Sequence, residues 1–131
     1  MRILIAEDDF ASRKVILKFL SVYGECDVTV DGMEAIDAYM MALEEGDPYD
    51  LVCLDVMMPI MDGYQALKNI RDIEKEHNIP EEKRAKVIMT TALNEEKNVK
   101  KAFELGCTVY CGKPIDMDRL KSTLDKLGLI P

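Results

Sequence analysis

The stretch of sequence that decides the fold is DLVCLDVMMPIMDG, at residues 50–63. It opens with a dense apolar run at 50–54, which has the length of a buried strand, and continues into a loop that ends in Asp62-Gly63. After this loop, apolar side chains recur at helical spacing, at Tyr64, Leu67, Ile70 and Ile73. The stretch therefore predicts a strand, a loop and a helix, with the carboxylate of Asp55 at the end of the strand.

The same order of strand and helix repeats on both sides of this stretch. Short apolar runs predict strands at 2–6, 26–30, 50–54, 87–89 and 107–111. Helical spacing of apolar residues follows each run: at about 10–22 (with Val15, Ile16, Phe19 and Leu20 on one buried face), from Ile36 to Leu43, from Tyr64 to Ile73, around 99–103 before Gly106, and from about 116 to 127. The polar segment 77–84 is predicted to be a long loop, with His77 solvated in it. Five alternations of strand and helix result.

This alternation determines the predicted fold class. Each helix must return the chain to the same edge of the sheet, so the strands run parallel and the helices cover both faces. The prediction is a doubly wound α/β sandwich, whose ligands bind in the loops after the carboxyl ends of the strands. The 131 residues suit one domain, so we expect a single domain over 1–131 with no separate output domain.

Composition narrows the possible partners. The net charge is −8, from 25 acidic against 17 basic residues, and such a balance lacks the basic footprint of a nucleic-acid-binding protein. No apolar run approaches the length of a membrane-spanning helix, and the acids at 7–9 leave no room for a secretory signal. We therefore expect a cytoplasmic protein that binds neither nucleic acid nor membrane.

The four cysteines form no C-x-x-C pair, which makes a zinc site or a disulfide unexpected in a cytoplasmic protein. Cys53 lies in an apolar run and is expected to be a buried thiol. Cys107 and Cys111 fall four residues apart in a predicted strand, so they are expected on one face. A redox role for this pair stays open.

Chemical groups collect at the predicted strand ends. The first strand leads into Glu7-Asp8-Asp9, the third ends in Asp55, the fourth in Thr91 and the fifth in Lys113. Taken singly, Asp9 could cap a helix, Thr91 could pair with a strand and Lys113 could lie on the surface. Together they favour a functional site, because converging carboxylates repel one another unless a cation neutralises them. An all-oxygen set of this kind suits Mg²⁺.

Four blocks of sequence carry a resemblance to a known family. The chain resembles the receiver domain of two-component response regulators, in particular the stand-alone, chemotaxis-regulator type, over essentially 1–128. This resemblance implies a flavodoxin-like (βα)5 fold with a parallel five-stranded sheet in the order 2-1-3-4-5. The blocks are Ile3-Leu4-Ile5-Ala6-Glu7-Asp8-Asp9, the segment 55–63 that starts at Asp55, Met89-Thr90-Thr91-Ala92, and Tyr110-Cys111-Gly112-Lys113-Pro114.

The resemblance also implies roles for the site residues. Asp55 is implied to be the phosphoacceptor, which takes a phosphoryl group from a histidine kinase or a phosphotransfer protein. Mg²⁺ is implied to bind Asp55, the first loop and the backbone oxygen of Met57. Matching the first helix in register makes Glu7 and Asp8 the metal-binding pair and lets Asp9 begin the helix. A shift by one residue, which would select Asp8 and Asp9, stays open.

The other two blocks imply a switch. Lys113 is implied to contact a phosphoryl oxygen, with a cis peptide to Pro114. Thr91 is implied to bond the phosphoryl group while Tyr110 turns inward behind it, although Tyr110 could instead pack on its strand with its hydroxyl at the surface. The face formed by the fourth helix, fifth strand and fifth helix is then implied to bind a downstream protein. The protein is expected to be a signalling switch that assists only its own phosphorylation and autodephosphorylation.

Two positions depart from relatives with polar side chains. Met57 and Leu93 stand where the family's side chains influence hydrolysis of the acyl phosphate, and neither can orient a water. We therefore expect slow autodephosphorylation. The enzyme alternative, a haloacid-dehalogenase-type phosphatase, lacks its Asp-x-Asp-Gly-Thr signature here, and a flavodoxin-like binding module lacks its Ser/Thr-rich phosphate loop after the first strand.

Overall fold

The computed structural model describes residues 1–92 and 96–130. Its strands are β1 (Arg2–Ala6), β2 (Glu25–Thr29), β3 (Leu51–Asp55), β4 (Lys86–Thr91) and β5 (Val109–Gly112). Its helices are α1 (Phe10–Leu20), α2 (Gly32–Glu44), α3 (Gly63–Glu76), α4 (Glu96–Glu104) and α5 (Met117–Lys126). A short 3-10 turn at Glu81–Lys83 precedes β4.

The five strands form one parallel sheet in the order β2-β1-β3-β4-β5. The register places Ala6 beside Leu54 on the neighbouring strand, so β1 and β3 end at nearly the same height. Likewise Thr91 pairs with Gly112, which brings the ends of β4 and β5 together. The predicted flavodoxin-like, doubly wound fold with strand order 2-1-3-4-5 is confirmed. The carboxyl ends of the five strands therefore lie at one edge of the sheet.

Alternation along β1 shows why the sheet is covered on both faces. Ile3 and Ile5 pack in one buried cluster with side chains of α1 and α5, while Leu4 and Ala6 pack in the other with α2, α3 and α4. A strand that is apolar at every position needs a helix layer on each side. The two cores together hold the strand ends in fixed positions, which is the condition for a preorganised site.

Aspartates begin four of the helices. Asp9, Asp31, Asp62 and Asp116 are the N-caps of α1, α2, α3 and α5, and each side chain accepts a hydrogen bond from a backbone N–H of the first turn. Asp62 forms a reciprocal capping box with Gln65. Some of the acidic residues that give the chain its net negative charge thus cap helices rather than form a site.

The start of α3 approaches β3 closely. The Gly63 amide donates to the Val56 carbonyl at 2.8 Å. A Cβ atom at Gly63 would lie 2.3 Å from the Asp55 carbonyl oxygen, so only glycine allows this approach. The first turn of α3 is therefore held directly against the end of the strand that carries Asp55.

Three details differ from the sequence prediction. β5 begins at Val109, so Cys107 precedes the strand and packs in the core under α2, α3 and α4, whereas Cys111 packs in the opposite core. The two cysteines do not share a face. Val15 is 52% exposed, because a helix turns by about 100° per residue and burial of Ile16 directs its neighbour outward.

The polar segment 77–84 is more ordered than the predicted loop. It contains the 3-10 turn, and His77 is the exposed residue that ends α3, with its ring Nδ1 2.9 Å from the Ile73 carbonyl oxygen. Within 1–92 and 96–130, no helix combines the length and apolar character needed to cross a bilayer.

A buried ion pair lies at the end of the sheet opposite the carboxyl ends of the strands. Glu74 on α3 is fully buried, and its carboxylate accepts hydrogen bonds from Arg71 Nη1 at 2.7 Å, the Tyr39 hydroxyl at 2.7 Å and the Ala85 amide at 2.9 Å. Arg71 also donates to the carbonyl oxygens of Ala85 and Gly106. This network joins α2, α3 and the segments before β4 and β5, which the sequence analysis did not anticipate.

Candidate functional site

Three carboxylates meet at the strand-end edge of the sheet. Asp55 is the last residue of β3, and Glu7 and Asp8 follow the adjacent strand β1 directly. One oxygen from each lies within 4.8 Å of the other two. Glu7 and Asp55 are buried and Asp8 is exposed, so the cluster is open to solvent on one side.

The Lys113 ammonium faces the two buried carboxylates. The Lys113 amide donates to the Thr91 carbonyl at 2.8 Å, which fixes the backbone of the loop after β5 against the end of β4. Its Nζ lies 2.5 Å from Glu7 Oε1 and 3.5 Å from Asp55 Oδ1. The Lys113–Pro114 peptide is cis, as the resemblance implied. With three carboxylates and one ammonium, the site keeps a net negative charge.

The charges shift the pKa values of this cluster. Burial raises the pKa of the Asp55 carboxyl to about 7, and the hydrogen bond to Glu7 and the Glu7 charge add to this rise, while Lys113 partly offsets it. Partial burial lowers the pKa of Lys113, but its hydrogen bond to Glu7 and the charges of Asp55 and Glu7 outweigh that effect and raise the pKa above its usual value. Lys113 is thus held as a cation beside an oxygen-rich pocket.

The donor set fits Mg²⁺. Carboxylate oxygens are hard ligands, and the exposed side of the cluster leaves room for the waters that Mg²⁺ retains. Met57, the predicted source of a backbone ligand, lies two residues after Asp55 in the loop that follows β3. The residues present are therefore compatible with the metal that the sequence predicted.

The loop after β1 separates the roles of its three acids. The Asp9 side chain accepts from the Ser12 amide at 2.9 Å, and the prediction that Asp9 begins α1 is confirmed. Asp9 is absent from the carboxylate cluster, which contains Glu7 and Asp8 instead. This arrangement favours Glu7 and Asp8 over the pair shifted by one residue.

Arg13 is a site residue that the sequence analysis missed. Its guanidinium donates to the carbonyl oxygens of Glu7 at 3.0 Å and Asp8 at 3.4 Å, and it lies 5.5 Å from the centre of the Phe10 ring. An arginine one turn into α1 thereby holds the backbone of the acidic loop. Its position four residues after the N-cap was the only available signal, and it is indistinguishable from that of a surface arginine.

Two hydroxyl groups lie beside the cluster, on β4 and β5. Thr91 is fully buried at the end of β4, and Tyr110 is partly buried and packs against the core under α2, α3 and α4. Burial raises the pKa of Tyr110, the neighbouring Tyr64 adds to this rise, and the neighbouring Thr91 opposes it.

The loop between β3 and α3 carries backbone strain. Ile60 has a φ of 70°, in the left-handed region, although β-branched residues avoid it, and its side chain is 80% exposed. Replacing Ile60 with Asn is expected to raise the free energy of unfolding by about 1 kcal/mol, because asparagine tolerates this conformation and little burial is lost. Urea unfolding measures the change, and a destabilised variant would contradict it.

Mg²⁺ is expected to stabilise the protein more at pH 8 than at pH 5.5. The folded-state pKa of Asp55 is raised, so the metal-free fold is favoured at low pH and loses stability as pH rises towards about 7. Mg²⁺ neutralises the ionised site at pH 8, whereas at pH 5.5 it must first displace a proton. Thermal unfolding with MgCl2 and with NaCl of equal ionic strength tests this, and equal Tm shifts at both pH values would contradict it.

Slow autodephosphorylation is expected from two apolar side chains, Met57 and Leu93. Met57 is 60% exposed beside the site, with no polar atom that could hold a water. Leu93 lies outside the described residues. Of these two positions, the structure therefore describes the surroundings of Met57.

A family model and several known proteins match the sequence of this chain. The family model of the response regulator receiver domain matches residues 3–125. The chemotaxis protein CheY of Treponema pallidum is 36% identical over 94% of this chain and 82% of its own length. A hybrid signal transduction histidine kinase L of Dictyostelium discoideum is 31% identical over 97% of this chain, which spans only 7% of that kinase.

Solved structures show the same fold. CheY in a CheX-CheY-BeF3-Mg²⁺ complex from Borrelia burgdorferi superposes with a TM-score of 0.81 at 29% identity, covering 96% of this chain and 88% of that one. The Saccharomyces cerevisiae co-crystal of the histidine phosphotransfer protein Ypd1 with the Ssk1 receiver domain gives a TM-score of 0.83 at 26% identity, covering 98% and 88%.

The fold, the carboxylate cluster and the family match define a receiver domain of the response regulator type. The chain belongs to the response regulator receiver domain family, and it resembles the stand-alone CheY-like members. That family acts as a signalling switch.

Proposed function

We propose that this chain accepts a phosphoryl group on Asp55 and passes the signal on through a change in its own surface. The observation that carries this proposal is the buried Asp55 carboxylate, set beside Glu7, Asp8 and the Lys113 ammonium at the open edge of the sheet. A carboxylate held by neighbours in a partly closed site is a competent nucleophile towards phosphorus.

The chain's own residues define the transfer. An Asp55 oxygen attacks the phosphorus, the new O–P bond forms, and the bond from phosphorus to the donor's imidazole nitrogen breaks in line with it. Lys113, now 2.5 Å from Glu7, is placed to exchange that contact for a phosphoryl oxygen. Glu7, Asp8, Asp55 and the backbone oxygen of Met57 would hold Mg²⁺, which offsets charge on the transferring group when it is bound.

Histidine kinases or phosphotransfer proteins are the proposed donors. The Ssk1 receiver domain forms a complex with the phosphotransfer protein Ypd1, and this chain shares its fold at 26% identity. The matched region of the Dictyostelium relative belongs to a histidine kinase. Both comparisons support a donor that presents a phosphorylated imidazole at the strand-end edge.

Thr91 and Tyr110 form the proposed switch. After transfer, the Thr91 hydroxyl turns to bond the phosphoryl group, and Tyr110 turns inward behind it. This change remodels the face of α4, β5 and α5, which we propose as the binding site for a downstream protein. The chain acts in this scheme only on its own aspartate.

Intact mass spectrometry tests the proposal. Incubation with MgCl2 and a small phosphodonor is expected to add the mass of one phosphoryl group, and peptide mapping is expected to locate it in β3. Replacing MgCl2 with EDTA should suppress the adduct. An adduct on another residue, or one that forms equally well in EDTA, would overturn the proposed site.

Replacing Met57 with Asn is expected to speed loss of the phosphoryl group about tenfold. An amide at this exposed position can hydrogen bond the attacking water, and one or two such bonds are worth about 1 kcal/mol each. The decay of the adduct after removal of the phosphodonor measures the rate. Met57→Leu is the apolar control, and equal decay in the Asn and Leu variants would contradict the expectation.

A further inference from the structure

Arg13 joins the acidic loop after β1 to the first turns of α1. Its Nη1 atom donates to the carbonyl oxygen of Glu7 at 3.0 Å and to that of Asp8 at 3.4 Å. The guanidinium carbon also lies 5.5 Å from the centre of the Phe10 ring, at the start of the helix. Two successive carbonyl groups of the loop are therefore held by one side chain that is itself anchored on α1.

These two carbonyl groups belong to the peptide units on either side of the Asp8 Cα atom. The second unit is held at its other end as well, because the Asp9 amide donates to Glu7 Oε2 at 3.3 Å. The orientation of the two planar units sets the φ and ψ angles of the residue between them. The contacts of Arg13 therefore fix the backbone of Asp8 and the direction in which its side chain leaves the chain.

The Asp8 carboxylate has little else to orient it. It is exposed, and among the residues that the structure describes no side chain or amide donates a hydrogen bond to it. Glu7 differs, since it is buried and bonded to the Lys113 ammonium. Arg13 contacts carbonyl oxygens rather than carboxylates, so it orients Asp8 without occupying the oxygen that belongs to the carboxylate cluster.

We propose that Arg13 is a positioning residue for Mg²⁺, which holds the Asp8 backbone so that its carboxylate points towards Glu7 and Asp55 before the metal binds. The inference rests on the proposed function, since it takes Asp8 as a metal ligand. A ligand that is already oriented loses less conformational freedom on binding, which raises affinity. The charge of Arg13 acts in the opposite direction, because a cation near the cluster repels Mg²⁺. Position and charge therefore predict opposite effects for a variant that lacks the guanidinium.

A MgCl2 series at pH 8 and constant ionic strength separates the two effects, with the increase in Tm at each concentration giving the Mg²⁺ Kd. Arg13→Met is expected to raise the Kd about tenfold, the scale of one charge-assisted hydrogen bond. Lys14→Met is the matched control, because it removes the same charge from the next residue of α1, which is exposed and forms no hydrogen bond or ion pair among the described residues. Its Kd is expected to equal that of wild type or to fall.

Two more variants test whether Arg13 acts through Asp8. Arg13→Lys can restore one of the two bonds to the carbonyl oxygens and is expected to recover part of the lost affinity. Asp8→Asn removes the carboxylate that Arg13 orients. Adding Arg13→Met to Asp8→Asn is therefore expected to change the Kd less than about twofold.

Other roles of Arg13 give different results. A merely structural Arg13→Met variant would lower the Tm without Mg²⁺ and leave the Kd unchanged, and loss of charge alone would lower the Kd. Either result, equal weakening by Lys14→Met, no recovery in Arg13→Lys, or a full effect beside Asp8→Asn would overturn the inference alone. A wild-type protein whose Tm does not respond to MgCl2 would overturn the proposed metal site together with it.

Discussion

Replacing Asp55 with Asn is expected to reduce the phosphoryl adduct by two orders of magnitude or more, to about the detection limit. The amide keeps the shape of the side chain but lacks a nucleophilic oxygen anion. Because it also removes a buried charge, the variant is expected to unfold at a higher temperature than wild type at pH 8 without Mg²⁺. Intact mass and thermal unfolding measure the two effects.

Asp62→Asn is the matched control for this experiment. Asp62 lies in the loop that follows Asp55 but outside the carboxylate cluster, and asparagine can still cap α3. Its adduct is expected to equal that of wild type. If Asp55→Asn kept a full adduct, or if Asp62→Asn lost it, the assignment of Asp55 as phosphoacceptor would be wrong.

Replacing Arg71 with Met is expected to lower the free energy of unfolding at pH 7 by about 3–5 kcal/mol. Arg71 contacts Glu74, whose side chain is fully buried, and among the described residues the variant leaves that carboxylate with Tyr39 and the Ala85 amide as donors. A loss of this size is a large fraction of the stability of a domain of this length. Urea unfolding at pH 7 measures it.

Two further variants separate this effect from a general change of charge on α3. Lys68→Met breaks the Lys68–Asp72 pair at 3.3 Å, in which both side chains are exposed, and is expected to cost less than about 0.5 kcal/mol. Adding Glu74→Gln to Arg71→Met is expected to recover part of the loss, because the neutral amide still accepts from Tyr39 and Ala85. A double variant no more stable than Arg71→Met would show that the unpaired charge is not the cause.

The predictions of strand and helix order were correct because a local pattern of residues determines that order. The alternation of short apolar runs with helical spacing leads to parallel strands, and parallel strands bring their carboxyl ends to one edge. The sequence pattern therefore predicts one site for residues as distant in sequence as Glu7, Asp55 and Lys113. Their separations in the structure agree with that expectation.

The predictions of side-chain position failed where residues in different environments have the same local spacing. Cys107 and Cys111 share the spacing of one strand face, yet β5 starts after Cys107 and the two thiols lie in different cores. Arg71 and Arg13 have the spacing of ordinary surface arginines on amphipathic helices. Nothing in a linear pattern tells which of these guanidinium groups meets a buried carboxylate or a loop carbonyl.

The amino-acid sequence by itself determined the strand and helix order, the edge at which the site forms and the chemistry of its residues, because these follow from periodicity and from the types of residue at strand ends. Only the tertiary structure decided that Glu7 and Asp8 rather than Asp9 join Asp55, and that Tyr39 and the Ala85 amide meet the buried Glu74. These contacts depend on the register between elements and on the direction of single side chains. Both are set by packing across the sheet, which local spacing does not encode.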